Sequence, residues 1–184
     1  MSAPSITVAA YVYPGWHACP ERDLRPGWSE WELVLGARPR FPGHRQPRIP
    51  AWGIYDDSDP SLSAPRYARA RAHGVDVLVF GLFWSNGKTV LREALDRGFL
   101  QGALGSELPF ALMWANRMPH RVLPLKAADP DGIDPARLVH SSPADFAALV
   151  GHLAERYFHR PNYWRLDGRP YLSIFDTTLF LRQL

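Results

Sequence analysis

Cysteine is nearly missing from this sequence: Cys19 stands alone among 184 residues. One thiol builds neither a disulfide framework nor a cysteine-based zinc site. Lysine is almost as scarce. Lys88 and Lys126 are the only two, so Arg carries nearly all of the positive charge. Neither sign dominates: 21 Lys and Arg stand against 18 Asp and Glu, a net +3. So small a surplus, spread along the chain, speaks against nucleic acid as a partner. No apolar run approaches the roughly 18 residues that mark a membrane span. Met1 to Pro14 lacks the basic start and long apolar core of a signal peptide. A cytoplasmic protein without a membrane span is therefore expected. The phosphate-binding glycine loops are also missing: Tyr13-Pro14-Gly15-Trp16 after the first strand fits neither a dinucleotide fingerprint nor a P-loop. No Gly-x-Ser-x-Gly elbow occurs, which removes the acyl-transfer triads built on it. His17, His44 and His120 lie apart, without paired-ligand spacing. Neither a metal nor a cofactor is expected.

What is present is an ordinary globular composition, 46% hydrophobic and 21% charged. The length suits one domain with a real core, so residues 1–184 are read as a single domain. Four apolar runs read as buried strands: Ile6–Tyr13, Val75–Trp84, Pro109–Trp114 and Pro170–Phe175. Helical patterns separate them. An Ala- and Arg-rich segment around Tyr67–His73 ends at Gly74. Leu91, Ala94 and Leu95 mark a second helix that ends near Gly98. Ser142, Pro143 and Asp145 open the clearest helix, whose apolar face is Phe146, Leu149, Val150, Leu153 and Tyr157. A further helix begins at Leu179. Strand and helix alternate, which predicts an α/β fold of parallel βα units with right-handed crossovers. Four such units match a small open sheet or half of an eight-fold barrel.

Two connections are too long for plain βα loops, at about 14–63 and 117–141. The first is rich in proline and holds four of the seven Trp. Loops of this kind carry function in α/β proteins. Ligands in parallel α/β folds bind beyond the carboxyl ends of the strands. That rule selects Tyr11 and Tyr13, then Trp84, Asn86 and Lys88, then Trp114, Asn116 and Arg117, then Asp176. Rings, amides and a carboxylate together describe a sugar site, because rings stack on pyranose faces while Asn, Asp and Arg bond hydroxyls. The plainer alternative makes Trp84 and Trp114 core and Asn116 a loop cap.

Glu30 sits in Gly27-Trp28-Ser29-Glu30-Trp31. A carboxylate between two indoles suits a general acid, although Trp28 and Trp31 also suit a simple loop anchor. Glycoside hydrolysis uses two carboxylates about 5 to 10 Å apart. Glu30 and Asp176 are the pair whose loops can converge, while Asp56, Asp57 and Asp59 read as a turn and helix lead-in. Arg38, Arg40, His44, Arg45 and Arg48 form the densest basic stretch. It reads either as a solvated loop or as a contact for an anionic sugar or phosphate.

These residues resemble the glycosyltransferase WbsX family, also described as glycoside hydrolase family 99-like. Members show Gly-Phe-Thr-Glu-Trp and then Pro-x-Phe-x-Gly-His-x-Gln-Pro. Here the run is Gly27 to Trp31, then Pro39-Arg40-Phe41-Pro42-Gly43-His44-Arg45-Gln46-Pro47. Asn86-Gly87-Lys88, Trp114-Ala115-Asn116 and the Tyr163–Pro170 element follow in the same order. The resemblance implies a (β/α)8 barrel acting on carbohydrate, with endo-acting α-mannosidases among its relatives and no catalytic cofactor. It places Glu30, Trp31, His44, Gln46, Asn86, Lys88, Trp114 and Asn116 on motif positions. Two departures stand out. Arg117 replaces the Glu that usually follows Trp-Ala-Asn, and Met118-Pro119-His120-Arg121 stands where a tryptophan-rich stretch often follows; the larger departure is length, with the family's later Asn-Glu-Trp segment absent. The expected reading is the N-terminal half of a carbohydrate-active barrel, a glycosidase or glycosyltransferase, inactive in this form. The alternative is a non-catalytic glycan-binding module, or one completed through its open sheet edges by a second copy or a partner chain.

Overall fold

A computed structural model describes residues 6–20, 26–116 and 142–183. Two compact units make up the chain. One comprises Met1–Val12, Val75–Val90 and Glu107–Leu184; the other comprises Tyr13–Gly74 and Leu91–Ser106.

The first unit is built on a parallel sheet. Its strands β1 (Ala9–Val12), β2 (Val77–Ser85), β4 (Phe110–Trp114) and β7 (Leu172–Ile174) lie side by side in that order. The path follows the chain and never reverses. Register runs from Ala9 opposite Val77, through Leu78 opposite Phe110, to Leu112 opposite Leu172. β2 and β4 occupy the middle, and their sequences are apolar on both faces, as central parallel strands require. Val77, Leu78, Val79, Phe80, Phe110, Ala111 and Leu112 are all buried. Each large side chain among them contributes about 1.5–3 kcal/mol by leaving water.

The end strands differ from the sequence expectation. Ile6–Tyr13 reads as a strand buried on both faces, yet only Ala9–Val12 is extended in the sheet, and Ile6, Val8 and Tyr11 are exposed. β1 has β2 as its one partner among the described residues, so its side chains lack the second row of neighbours that covers β2. β7 is half-buried throughout, and Phe175 just beyond it is exposed.

Beyond Ser85 the chain turns back at once. Asn86 and Gly87 take φ of 49° and 76°, and Lys88–Val90 returns as the antiparallel β3. Asn-Gly is the preferred pair for such a two-residue hairpin, because both positions need positive φ. Asp167-Gly168 makes the same turn between β5 (Arg165–Leu166) and β6 (Arg169–Pro170).

Helix α3 (Pro143–Leu153) starts as its sequence predicts, with Ser142 Oγ accepting from the Asp145 N–H at 3.2 Å. A π-helical turn, Ala154–Phe158, extends it. Leu149, Leu153 and Tyr157 form its buried face, whereas Val150 turns outward. The short helix α4 (Thr177–Gln183) brings Phe180 against Trp114 and Phe146, with ring centroids 6.0 and 4.9 Å apart.

The second unit contains the one-turn helix α1 (Trp31–Leu35), the longer α2 (Pro60–Ala72) and a π-helical turn at Ala94–Phe99. α2 begins earlier than its Ala-rich part suggests. Asp59 caps it, accepting from Ser61 N–H at 2.8 Å, and Pro60 fills the first helical position. Tyr67 meets Phe99 edge-on at 5.3 Å. Gly98 permits a close approach: a Cβ there would lie 1.9 Å from the Asp57 carbonyl oxygen. Cys19 is fully buried in this unit.

Candidate functional site

In the first unit, the residues at the carboxyl ends of β2 and β4 are packed against protein. Trp114 is fully buried, and its indole N–H donates to the Trp84 carbonyl at 3.2 Å. Trp84 is also buried. Its indole N–H donates to Asp145 Oδ1 at 3.2 Å, and its ring lies 5.0 Å from that of His152. The structure therefore places both rings in the core. Asn116 is fully buried. Its amide donates to the Asp176 carbonyl at 2.9 Å, and its Oδ1 accepts from the Asp176 N–H at 2.7 Å. Asp176 is half-buried and caps α4, with Oδ1 accepting from Leu179 N–H at 2.8 Å. Asn86 and Lys88 are exposed on the β2–β3 hairpin, where Asn86 also shapes the turn. Arg117 and the loop 117–141 lie outside the described residues.

In the second unit, rings and carboxylates gather around Tyr13–His17. The Tyr13 hydroxyl donates to Glu30 Oε1 at 2.8 Å, and the Tyr13 ring meets Trp16 edge-on at 6.2 Å. Trp16 lies 4.5 Å from Trp31, and Trp31 meets Tyr55 edge-on at 5.0 Å. Trp31 is buried and donates its indole N–H to the Tyr55 carbonyl at 2.6 Å. The Arg66 guanidinium covers the other part of this stack, 3.6 Å from the Tyr55 ring centroid. Burial raises the pKa of the Tyr55 hydroxyl, with Arg66 opposing. Trp16 is half-exposed and Tyr13 exposed, so the cluster offers aromatic surface beside a carboxylate. That combination can hold a sugar ring and exchange a proton with one of its oxygens.

His44 and Gln46 sit together nearby in sequence. His44 Nδ1 accepts from the Arg40 backbone N–H, and Nε2 lies 3.3 Å from the Gln46 amide. The His44 ring stacks on Phe41 at 4.6 Å with planes 10° apart.

An ion group centred on buried His17 and Asp57 has no signature in the sequence. His17 Nδ1 lies 2.5 Å from Asp57 Oδ1, and Nε2 lies 3.3 Å from Glu93 Oε2. Asp57 also accepts from the Trp16 N–H at 3.2 Å. Burial alone would depress the imidazolium, but the bond and charge of Asp57, with Glu93 behind, outweigh it and raise its pKa. Asp57 therefore does more than lead into α2. No local pattern could have shown this, because 40 and 76 residues separate His17 from its two partners. His17, Asp56 and Asp57 bring potential metal-ligand atoms within 4.8 Å of one another. Those atoms already have protein partners: Asp56 Oδ1 takes the N–H and hydroxyl of Ser58, and His17 Nδ1 faces Asp57.

Comparison with known proteins adds a family. The model of the glycosyltransferase WbsX family matches residues 8–183. The uncharacterized protein WxcX of Xanthomonas campestris pv. campestris strain B100 is 34% identical over 172 residues, covering 92% of this chain and 24% of that protein. WxcX of strain ATCC 33913 gives the same figures. The GH99 endo-α-mannosidase of Bacteroides thetaiotaomicron in complex with Bis-Tris-propane superposes with a TM-score of 0.53 at 18% identity, over 94% of this chain and 42% of the mannosidase chain. A second structure of a GH99 endo-α-mannosidase from that organism gives 0.52 at 17%, over 94% and 46%. This chain thus spans about a quarter of the length of the WxcX relatives. The structural likeness, at such identities, concerns the α/β fold.

Proposed function

The chain belongs to the WbsX glycosyltransferase family, and from that premise we propose that it forms part of a protein that makes or breaks glycosidic bonds. The observation that carries this reading is the match of the WbsX family model over residues 8–183, and the order of the sheet, β1-β2-β4-β7, all parallel and in chain order, agrees with the barrel it needs. A doubly wound sheet reverses its order at a switch point, whereas a (β/α)8 barrel adds each strand on the same side. The four strands are read as the first half of such a barrel, within a single domain.

Glu30 is the acid–base candidate in the second unit, held by the Tyr13 hydroxyl beside the partly open Trp16 ring. His44 and Gln46 supply polar contacts to sugar hydroxyls, and Trp31 supports the stack from beneath. Asp176 is the carboxylate candidate of the first unit, where Asn116 fixes its backbone. The remaining catalytic carboxylates are assigned to parts of the protein beyond these residues. Since the fold neighbours are endo-α-mannosidases, a mannose-containing glycan is the first substrate to test.

Glycan binding without turnover is the second reading. One observation favours it: the Asp176 carboxylate is already engaged in capping its own helix. Calorimetric titration of the protein at the full length of its WxcX relatives with mannan oligosaccharides and a wider glycan panel, followed by chromatography of the mixtures, separates the two. Release or transfer of sugar that disappears in Glu30→Gln supports the enzyme. Affinity with no product supports the binding module. Failure to bind any glycan would sink both.

A further inference from the structure

From Leu33 to Tyr55 the chain contains four Arg and no acidic residue. Arg38, Arg40, Arg45 and Arg48 are all exposed. Among the described residues none of the four forms an ion pair. Four unneutralised guanidinium groups in one short segment repel each other, and a bound anion relieves that repulsion.

The segment is also shaped. Phe41-Pro42-Gly43-His44 makes a tight turn, with the His44 N–H donating to the Phe41 carbonyl at 3.1 Å and Gly43 at φ 82°. Pro50-Ala51-Trp52-Gly53 makes a second, with the Gly53 N–H donating to the Pro50 carbonyl at 2.9 Å. Pro39, Pro42, Pro47 and Pro50 restrict φ throughout, so little freedom remains to be lost on binding. Exposed rings stand among the charges. Phe41 lies on His44, and Trp52 is exposed with Arg69 of α2 at 5.2 Å from its ring.

We propose that residues 38–52 form a docking surface for an acidic polysaccharide whose sugars carry carboxylates. This rests on the carbohydrate reading above and adds the charge of the ligand. Arg takes a carboxylate through two parallel N–H donors, and the rings between the Arg residues suit sugar faces. Arg takes phosphate as readily as carboxylate, so it is the exposed rings among the charges, suited to sugar faces, that favour the polysaccharide.

The test uses the 184-residue chain and calorimetric titration at low and high salt. The probes are polygalacturonate, the same polymer with its carboxyls methyl-esterified, neutral mannan, polyphosphate and a single-stranded oligonucleotide. Expected is binding of polygalacturonate, at least tenfold tighter than of its ester, weakening as salt rises. An Arg40→Glu/Arg45→Glu variant should lose at least tenfold in affinity at an unchanged melting temperature. A variant with both residues changed to Lys should keep most of it. Equal binding of the ester overturns the inference and leaves the carbohydrate reading standing. Equal binding of polyphosphate or oligonucleotide overturns it as general anion attraction. Binding of mannan alone overturns it in favour of a neutral glycan, and binding of no polymer overturns it while the wider glycan panel decides the carbohydrate reading.

Discussion

Asn116 holds Asp176 by both of its backbone groups, donating to the carbonyl at 2.9 Å and accepting from the N–H at 2.7 Å. A side-chain amide here does the work of a peptide unit. The ladder between β4 and β7 ends in the bond from Phe175 N–H to the Trp114 carbonyl, and Asn116 adds one more rung beyond it.

Asn116→Ala should therefore cost about 1 kcal/mol, because the two part-buried backbone groups of Asp176 lose their partner. Asn116→Asp should cost more, since a carboxylate then faces the Asp176 carbonyl oxygen with no proton to give. Urea unfolding of the two variants beside the parent checks the order. Equal stability of all three would mean that the rung carries nothing.

His17 predicts a pH dependence. Its folded pKa is raised above the ordinary 6.5, so folding favours the protonated form. The stability it supplies is complete below that ordinary value and is lost as pH rises through the raised one. Melting temperatures across this window should fall with pH, and His17→Gln should flatten the slope. A parent and variant with parallel profiles would remove His17 as the cause.

Two glycines should answer an added methyl group with opposite signs. At Gly98 a Cβ would meet the Asp57 carbonyl oxygen at 1.9 Å, so Gly98→Ala should destabilise by about 1–3 kcal/mol. At Gly151, inside α3, nothing lies within 4 Å, and Gly151→Ala should stabilise by about 0.5–1 kcal/mol. Calorimetric melts of the two variants check both signs.

Tyr13 and Glu30 should act as a pair in any turnover assay. Tyr13→Phe removes the hydroxyl that holds Glu30 and keeps the ring, so it should lower kcat by about tenfold or more while glycan affinity stays close to the parent. Glu30→Gln should lower kcat further, and the double variant should add little beyond it. Additive losses would separate the two residues.

Much of the fold was readable because its signals are local. The apolar runs at Val75–Trp84 and Pro109–Trp114 are the central strands, and Ser142-Pro143 opens α3 where expected. Ile6–Tyr13 is less buried than its apolar run implies, because an apolar run does not reveal whether a strand has neighbours on both sides. Asn86, a ligand candidate by its place after a strand, is also half of an Asn-Gly hairpin turn. Trp84 and Trp114 drew attention as rings at strand ends. Whether such rings face a ligand or the core depends on α3 and α4, which arrive from more than 60 residues away in the case of Trp84 and Asp145. The group around His17 had no local signature at all.

Cys19, the single thiol, gives the second unit a built-in stopwatch. Its side chain is shut away from solvent, so a thiol reagent can reach it only while the surrounding chain is open. The rate of that reaction, followed without any engineered label, reports the free energy of local opening around Cys19 itself.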